Sequence, residues 1–166
     1  MRTMDFVFKP RASASCNGDF ILLETMSGYR RVKVDPSAPK HLLPMDADEA
    51  ALGQALLDAL KNSRQIEFSH VGAFFDLATV EAEYEQRNKA LMAQFGYKTK
   101  RALFKNMMKV SIDRDGDKIV LVPMRHHDLE GWGREKDDGI EDVVIPAGSA
   151  PAELGAALRL AFTRCE

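Results

Sequence analysis

Apolar and polar residues alternate with a period of two in several short segments of the chain, which is typical of β-strands. Two pairs of such segments flank a short turn, Ser27-Gly28 in the first pair and Arg114–Asp117 with its Asp-Gly step in the second. The sequence therefore predicts two β-hairpins. The small polar residues 13–17 are interpreted as a loop. The predicted strands cover residues 5–9, 20–26, 30–34, 109–113, 118–122 and 142–145.

Leucine and other apolar residues recur with a helical period in other parts of the chain. Asp46 or Asp48 can cap the first helix, and with Asp46 as the cap, Glu49 falls in the capping-box position. Asp76 can cap the second helix, and Gly96 is a typical helix stop. The predicted helices run from 46 or 48 to about 63–64, from 76 to 95, within 98–105, and from 152 to 163.

The first and last helices share a spacing pattern, repeated after 102 residues without a gap. The matching positions are Pro44 and Pro146, Leu52 and Leu154, Gly53 and Gly155, and Leu56 and Leu158. Glycine inside a helix costs about 1 kcal/mol relative to alanine, so two at equivalent positions indicate close approach of each helix to a sheet or to its twin. The repeat favours duplication of a hairpin–helix unit over chance similarity of two Leu/Ala-rich helices.

These patterns predict one domain over residues 1–166, of α/β (α+β) class, with helices packed on a mostly antiparallel sheet. A hydrophobic content of 45% and a charged content of 29% are typical of a globular protein. The chain has 23 Lys and Arg against 25 Asp and Glu, a net charge of −2, which argues against direct nucleic-acid binding as the main role.

Location is predicted from the N-terminus, from hydropathy and from cysteine usage. Residues 1–10 include Asp5 and Lys9 and lack the apolar run of a signal peptide, and no stretch has the roughly 18 apolar residues of a membrane helix. Cys16 and Cys165 are interpreted as free thiols in a reducing compartment. We therefore expect a cytoplasmic protein that has no membrane contact.

His126-His127-Asp128, with Glu130 nearby, is the strongest candidate for catalysis or metal binding. Adjacent residues of a strand point to opposite sides, so both histidines rarely serve one ion, and solvent-exposed histidines at a strand end are favoured. The alternative function is a small metal- or His-dependent hydrolase or nuclease that uses this segment. No phosphate-binding loop or zinc motif is present, and we expect no cofactor and no metal.

Two charged segments are candidates for partner binding. A basic run with neighbouring aromatic residues could touch nucleic acid, although the acids at 81–85 favour a solvated face or a charged protein interface; its members are Lys98, Lys100, Arg101, Lys105 and Lys109. Residues 135–142 contain five acids and one lysine, which suits a basic partner. The candidate partner-binding residues are Glu135, Asp137, Asp138 and Glu141.

Three segments give the chain a family resemblance: residues 97–107 (YKTKRALFKNM), 129–132 (LEGW), and 143–147 (VVIPA) followed by 153–161 (ELGAALRLA). Together with the Leu-Gly helix that ends in Ser63-Arg64, these segments resemble the immunity proteins of bacterial contact-dependent growth inhibition, the CdiI family. None of the segments is a catalytic motif, so the resemblance carries over no active residue.

The resemblance implies a function as well as a fold. Such proteins bind the C-terminal toxin domain of a cognate CdiA-type exported protein, which is often a nuclease acting on tRNA or DNA, and block its active site or substrate surface. It therefore implies a non-enzymatic protein whose partner is the cognate toxin domain.

Overall fold

The structure is a computed structural model that describes residues 6–166, and its main feature is an antiparallel sheet with helices on both faces. The strands are β1 (Arg11–Cys16), β2 (Ile21–Gly28), β3 (Val32–Val34), β4 (His41–Leu43), β5 (Met108–Asp115), β6 (Lys118–Pro123), β7 (Arg125–Asp128), β8 (Gly131–Gly133) and β9 (Val143–Pro146). The helices are α1 (Glu49–Lys61), α2 (Val71–Phe74), α3 (Leu77–Phe95), α4 (Lys100–Phe104) and α5 (Pro151–Thr163), with a 3₁₀ turn at Phe68–His70.

The sheet has the strand order β3-β2-β1-β5-β6-β9, and β4 pairs with the start of β2 on the same edge as β3. All of these pairs are antiparallel, which confirms the predicted fold class. The hairpins β2–β3 and β5–β6 are the two predicted ones, and Gly116 of the second turn has a φ of +63°. The predicted first turn, Ser27-Gly28, is wrong because both residues belong to β2 and pair with β3, so the chain turns at 29–31. β7 and β8 form a separate two-stranded ribbon.

The central strand β1 was not predicted. The loop expected at 13–17 is wrong because β1 covers Arg11–Cys16, and the strand expected at 5–9 is wrong for residues 6–9, which have no regular structure, while Asp5 lies outside the described residues. Ala12, Ala14 and Cys16 alternate into the core and are at most 1% exposed. Hydrogen bonds to β2 on one side and β5 on the other stabilise this small, serine-containing segment.

Helices α1 and α5 pack side by side on one face of the sheet, and two glycines let them touch. A Cβ atom on Gly53 would lie 1.7 Å from the carbonyl oxygen of Pro151, and one on Gly155 would lie 1.8 Å from the carbonyl oxygen of Glu49. Pro151 and Glu49 are the first residues of the two helices, so each helix places its glycine against the first turn of the other. The predicted close approach is confirmed, and it is an approach of each helix to its twin.

The opposite face of the sheet carries α3, α4 and the β7–β8 ribbon over a second apolar cluster, which includes Phe20, Leu22, Leu91, Leu103, Phe104 and Met107. The predicted bounds of α3 are confirmed: the Asp76 carboxylate accepts a hydrogen bond from the backbone N–H of Thr79, and Gly96 ends the helix with a φ of +75°. Asn88 and Leu91 are the buried residues of its nineteen. The helix therefore packs on the sheet mainly through half-buried side chains.

Smaller differences concern helix and strand ends. Asp48, one of the two predicted caps, accepts a hydrogen bond from the backbone N–H of Ala51, and the helix ends at Lys61, two to three residues before the predicted end. The strands β7 and β8, on either side of Leu129 and Glu130, were not predicted. The last strand and the last helix agree with prediction to within one residue. In the described part of the chain, no helix is long and apolar enough to cross a bilayer.

Candidate protein-interaction site

The acidic loop, residues 135–142, joins the β7–β8 ribbon to β9 and is organised by Arg134. The guanidinium of Arg134 makes a bidentate ion pair with Asp138, with Nε to Oδ2 at 2.7 Å and Nη2 to Oδ1 at 3.0 Å. Its Nη1 donates to Asp142 Oδ1 at 2.9 Å. Bidentate arginine–carboxylate pairs combine charge with fixed geometry, so this arginine holds the loop in one conformation.

Asp138 is the inner residue of the loop. Its side chain is 8% exposed, and its two oxygens also accept hydrogen bonds from the backbone N–H groups of Glu135 and Ile140, each at 3.0 Å. Arg134 and these two N–H groups hold the pKa of the Asp138 carboxyl well below its usual range, and the same contact raises the pKa of Arg134. Of the four predicted partner-binding residues, Asp138 therefore positions the loop from within.

The other three carboxylates of that set, on Glu135, Asp137 and Glu141, are exposed to solvent. The Glu135 side chain is 74% exposed and lies 3.8 Å from Arg125. Asp137 has a φ of +60°, an unusual left-handed conformation for a residue other than glycine. Arg164, which follows α5, donates to the carbonyl oxygens of Glu141 and Asp142. The loop therefore presents three acids on a backbone that is fixed from two sides.

The histidine segment is used mainly for packing. His126 stacks on Trp132, with ring centroids 4.5 Å apart and planes 13° apart, and its Nε2 lies 2.9 Å from the carbonyl oxygen of Leu129. His127 is on the surface, where its Nδ1 lies 3.0 Å from Asp128 Oδ2 and half of its side chain is exposed. The two histidines therefore lie in different surroundings, as the alternation of side chains along a strand predicted.

Cys16 and Cys165 are free cysteines, as the sequence predicted, and Cys16 lies in the core. The thiol of Cys16 lies in β1 at 1% exposure, and burial raises its pKa to about 12. A catalytic cysteine needs a readily formed thiolate, which this environment disfavours. Within residues 6–166, no three His, Cys, Asp or Glu side chains are grouped so that they could hold a metal ion.

The basic run is divided among three environments. Lys100 forms ion pairs with Glu85 and Glu130. Lys109 is half-buried on β5, with its Nζ 4.3 Å from the Trp132 ring centroid. Arg101 and Lys105 are exposed beside His127. The run is therefore not one continuous cationic surface.

Comparisons with known proteins identify the class of this protein. The family model described as "CdiI: CDI immunity protein", where CDI is contact-dependent growth inhibition, matches residues 10–165. The chain belongs to this family of immunity proteins, which confirms the resemblance seen in the sequence.

Its relatives match over nearly their whole length. The immunity protein CdiI-YPIII from Yersinia pseudotuberculosis serotype O:3 (strain YPIII) is 40% identical, with 98% of each chain covered. A chain of the CdiA-CT/CdiI toxin and immunity complex from Yersinia pseudotuberculosis is similar at a TM-score of 0.88 and 35% identity, covering 98% of this chain and 100% of that one. The protein of unknown function NMB0488 from Neisseria meningitidis is similar at a TM-score of 0.90 and 36% identity, covering 99% and 100%.

Proposed function

We propose that this protein binds the C-terminal toxin domain of a cognate CdiA-type protein and neutralises it as a stoichiometric inhibitor. The similarity to a chain of the Yersinia toxin and immunity complex carries the proposal, because it extends over the whole of both chains and includes the fold as well as the sequence. In this proposal the protein is not an enzyme, and it acts in the cytoplasm, where an incoming toxin domain would meet its substrate.

The proposed toxin is a nuclease, and binding covers either its active site or the surface that holds its nucleic-acid substrate. A specific interface of standard size buries roughly 1,200–2,000 Å² in total. A nanomolar dissociation constant corresponds to about −12 kcal/mol. Such affinity needs no reaction by the immunity protein, since occupancy alone keeps substrate away.

The direct test is titration calorimetry with the toxin domain encoded next to this gene, while cleavage of tRNA and DNA by that domain is followed in parallel. We expect 1:1 binding with a dissociation constant in the nanomolar range, and loss of toxin activity at one equivalent. A folded protein that fails to bind an active toxin domain would contradict cognate immunity for that pair. Inhibition at far less than one equivalent would instead indicate an enzymatic mechanism.

The acidic loop is the proposed contact surface for a basic toxin domain. Its outward acids, Glu135, Asp137 and Glu141, are presented on a backbone that is already ordered by Arg134 and Arg164. An ordered loop loses little conformational entropy on binding, and rim charges chiefly speed association. Asp138 contributes indirectly, by keeping these three side chains in place.

We expect the triple substitution Glu135→Lys, Asp137→Lys and Glu141→Lys to weaken toxin binding by about 10- to 100-fold, mainly through slower association at low salt. Surface plasmon resonance at two ionic strengths would measure this effect. The matched control changes three exposed acids on other segments by the same total charge: Asp46→Lys, Glu67→Lys and Glu81→Lys. Equal weakening by both variants would show an effect of net charge alone and would remove the loop from the interface.

The proposed inhibitor and the hydrolase alternative predict different results for a substitution of His127. This side chain is exposed and contacts Asp128, so His127→Ala should leave the fold intact. We expect the variant to bind and inhibit the toxin as the wild type does. Full binding with lost protection would favour a catalytic role for the histidine segment.

A further inference from the structure

Residues 67–82 form an apolar segment that belongs to neither hydrophobic cluster of the protein. The segment contains the 3₁₀ turn, α2 and the start of α3, and none of its residues is buried. Phe68 is 79% exposed and Leu77 is 70% exposed. Exposed apolar patches of a soluble protein mark sites of interaction. The large apolar side chains of the segment are those of Phe68, Val71, Phe74, Phe75, Leu77 and Val80.

Three aromatic rings connect this segment to the turn between β2 and β3, and we call them, with the charged residues at their two ends, the aromatic row. The guanidinium of Arg30 lies over the ring of Phe6, 5.7 Å from its centroid. The centroid of Phe6 is 4.9 Å from that of Tyr29, and the centroid of Tyr29 is 6.1 Å from that of Phe68. Glu67 directly precedes Phe68. The row therefore has a cation at one end and a carboxylate at the other.

Both end charges of the aromatic row are accessible to a partner. Arg30 is exposed, and within residues 6–166 no carboxylate lies within ion-pairing distance of its guanidinium. The side chain of Glu67 is 80% exposed and lies 3.7 Å from Nδ1 of His70, which is also on the surface. Exposed pairs of this kind contribute little stability, so the carboxylate of Glu67 is free to exchange His70 for another cation.

The end of β2 holds the aromatic row in place. The backbone N–H of Ile66 donates to the carbonyl oxygen of Gly28 at 2.7 Å, and the N–H of Gly28 donates to the carbonyl oxygen of Arg64 at 3.2 Å. The guanidinium of Arg31 lies over the ring of Phe75, 4.5 Å from its centroid. Because the backbone and the rings are ordered before a partner arrives, association loses little conformational entropy.

The order of charges along the row is self-complementary. A twofold rotation about the centre of the row places Arg30 of one copy of the chain opposite Glu67 of another, and the same contact then occurs twice. The rings between them are covered by the rings of the other copy. Twofold contacts of this kind are the commonest basis of protein dimers. A partner of uniform charge, such as a nucleic acid, suits only one end of the row.

We propose that the aromatic row is an interface between two copies of this chain. Tyr29 and Phe68 supply apolar contact, and the two pairs of Arg30 with Glu67 fix the antiparallel alignment of the rows. The row lies beside β3 and the acidic loop lies beside β9, and these strands are at opposite edges of the sheet. The dimer therefore leaves the acidic loop of each copy open, and the proposal does not depend on toxin binding.

The test is sedimentation equilibrium of the full chain, without toxin, between about 1 µM and 1 mM, where small interfaces associate. We expect a reversible monomer–dimer equilibrium in this range. Phe68→Ser should raise the dimer dissociation constant about tenfold or more, and the exposure of this side chain means that the fold is retained. Val144→Ser is the matched control, because Val144 is an exposed apolar residue of β9, and it should dimerise as the wild type does.

A charge exchange tests the antiparallel alignment. Arg30→Glu and Glu67→Arg should each weaken self-association about tenfold, because like charges then face each other at both ends of the interface. An equimolar mixture of the two variants should regain the wild-type affinity as a heterodimer, since every altered end then faces an end of opposite charge.

Three results would overturn the proposal. They are a wild type that stays monomeric throughout the concentration range, a Phe68→Ser variant that dimerises as the wild type does, and a mixture that associates no better than either charge variant alone. A monomeric wild type together with loss of toxin affinity in Phe68→Ser would instead assign this surface to the toxin domain.

Discussion

Replacing Gly53 or Gly155 by alanine is expected to destabilise the protein by about 3 kcal/mol, the upper end of the usual cost of overpacking. In either variant the new Cβ would lie less than 2 Å from a backbone carbonyl oxygen of the other helix. Because a backbone atom cannot rotate away as a side chain can, α1 and α5 must separate. The gain of about 1 kcal/mol in helix propensity on replacing glycine by alanine is too small to offset this.

Urea unfolding of the two single variants and the double variant would measure the effect. Gly72→Ala is the matched control, since Gly72 lies in α2 and a methyl group added there would have no neighbouring atom within 4 Å, so it should be neutral or slightly stabilising. The double variant should lose less stability than the sum of the two single losses, because one clash already separates the helices and so relieves the other clash. Wild-type stability of Gly53→Ala would show that the helices pack less closely.

Replacing Arg64 by methionine is expected to lower the free energy of unfolding by about 2 kcal/mol, because the buried carboxylate of Asp35 loses its ion-pair partner. The side chain of Asp35 is 1% exposed, and Arg64 Nε lies 2.8 Å from its Oδ2. Loss of one partner of a buried pair typically costs about 3–5 kcal/mol, and half of the Arg64 side chain is in water, which lowers the figure here. Urea unfolding of Arg64→Met, with Arg101→Met as a control at an exposed arginine, would measure it.

The same pair gives a pH dependence with a definite sign. Burial alone would raise the pKa of Asp35, but hydrogen bonds from Arg64, Ser37 and Ser27 outweigh it and hold the pKa well below its usual range. This group therefore stabilises the fold above the unfolded-state pKa of about 3.9, and the contribution is lost as pH falls toward the lower folded-state pKa. In Arg64→Met the folded-state pKa of Asp35 rises toward the unfolded-state value, so stability should fall less than in the wild type as the pH drops below about 3.9. Parallel pH profiles of the two proteins would contradict this.

The elements that were predicted correctly are those whose signals are local. The helix α3 has a capping aspartate at one end and a left-handed glycine at the other, and both are visible in the sequence. The β5–β6 hairpin has an Asp-Gly turn between alternating segments. The spacing of Gly53 and Gly155 even showed which helices must approach a neighbour closely.

The elements that were missed are held together by distant contacts. β1 consists of alanine, serine and cysteine after its first arginine, and its strand conformation comes from two neighbours, of which β5 is remote in sequence. The β7–β8 ribbon is rich in glycine and histidine, and it is fixed by Trp132, whose Nε1 donates to the carbonyl oxygen of Met107 and whose ring packs on Phe104. For β1 and for the ribbon alike, the contacting residues are too far apart in sequence to be seen within one short window.

The candidate sites differ in the same way. The acids of the loop at 135–142 are close together in sequence, so composition alone revealed them, but the inward position of Asp138 depends on Arg134 and could not be predicted. The polar residues between α3 and the sheet, among them Ser13, Asn88 and Lys109, were not predicted to lie together. They come from β1, α3 and β5, and only the folded chain brings them together.

The contact between α1 and α5 has a consequence for how the protein is made. The two helices begin at Glu49 and Pro151. They are therefore about a hundred residues apart, and a ribosome adds about 5–20 residues per second, so α1 is synthesised roughly 5–20 s before its partner. During that interval Leu52 and Leu56, which are fully buried in the finished protein, lack the surface that covers them. The first half of each nascent chain therefore exposes apolar surface until the second half is made, and exposed surface of this kind favours aggregation.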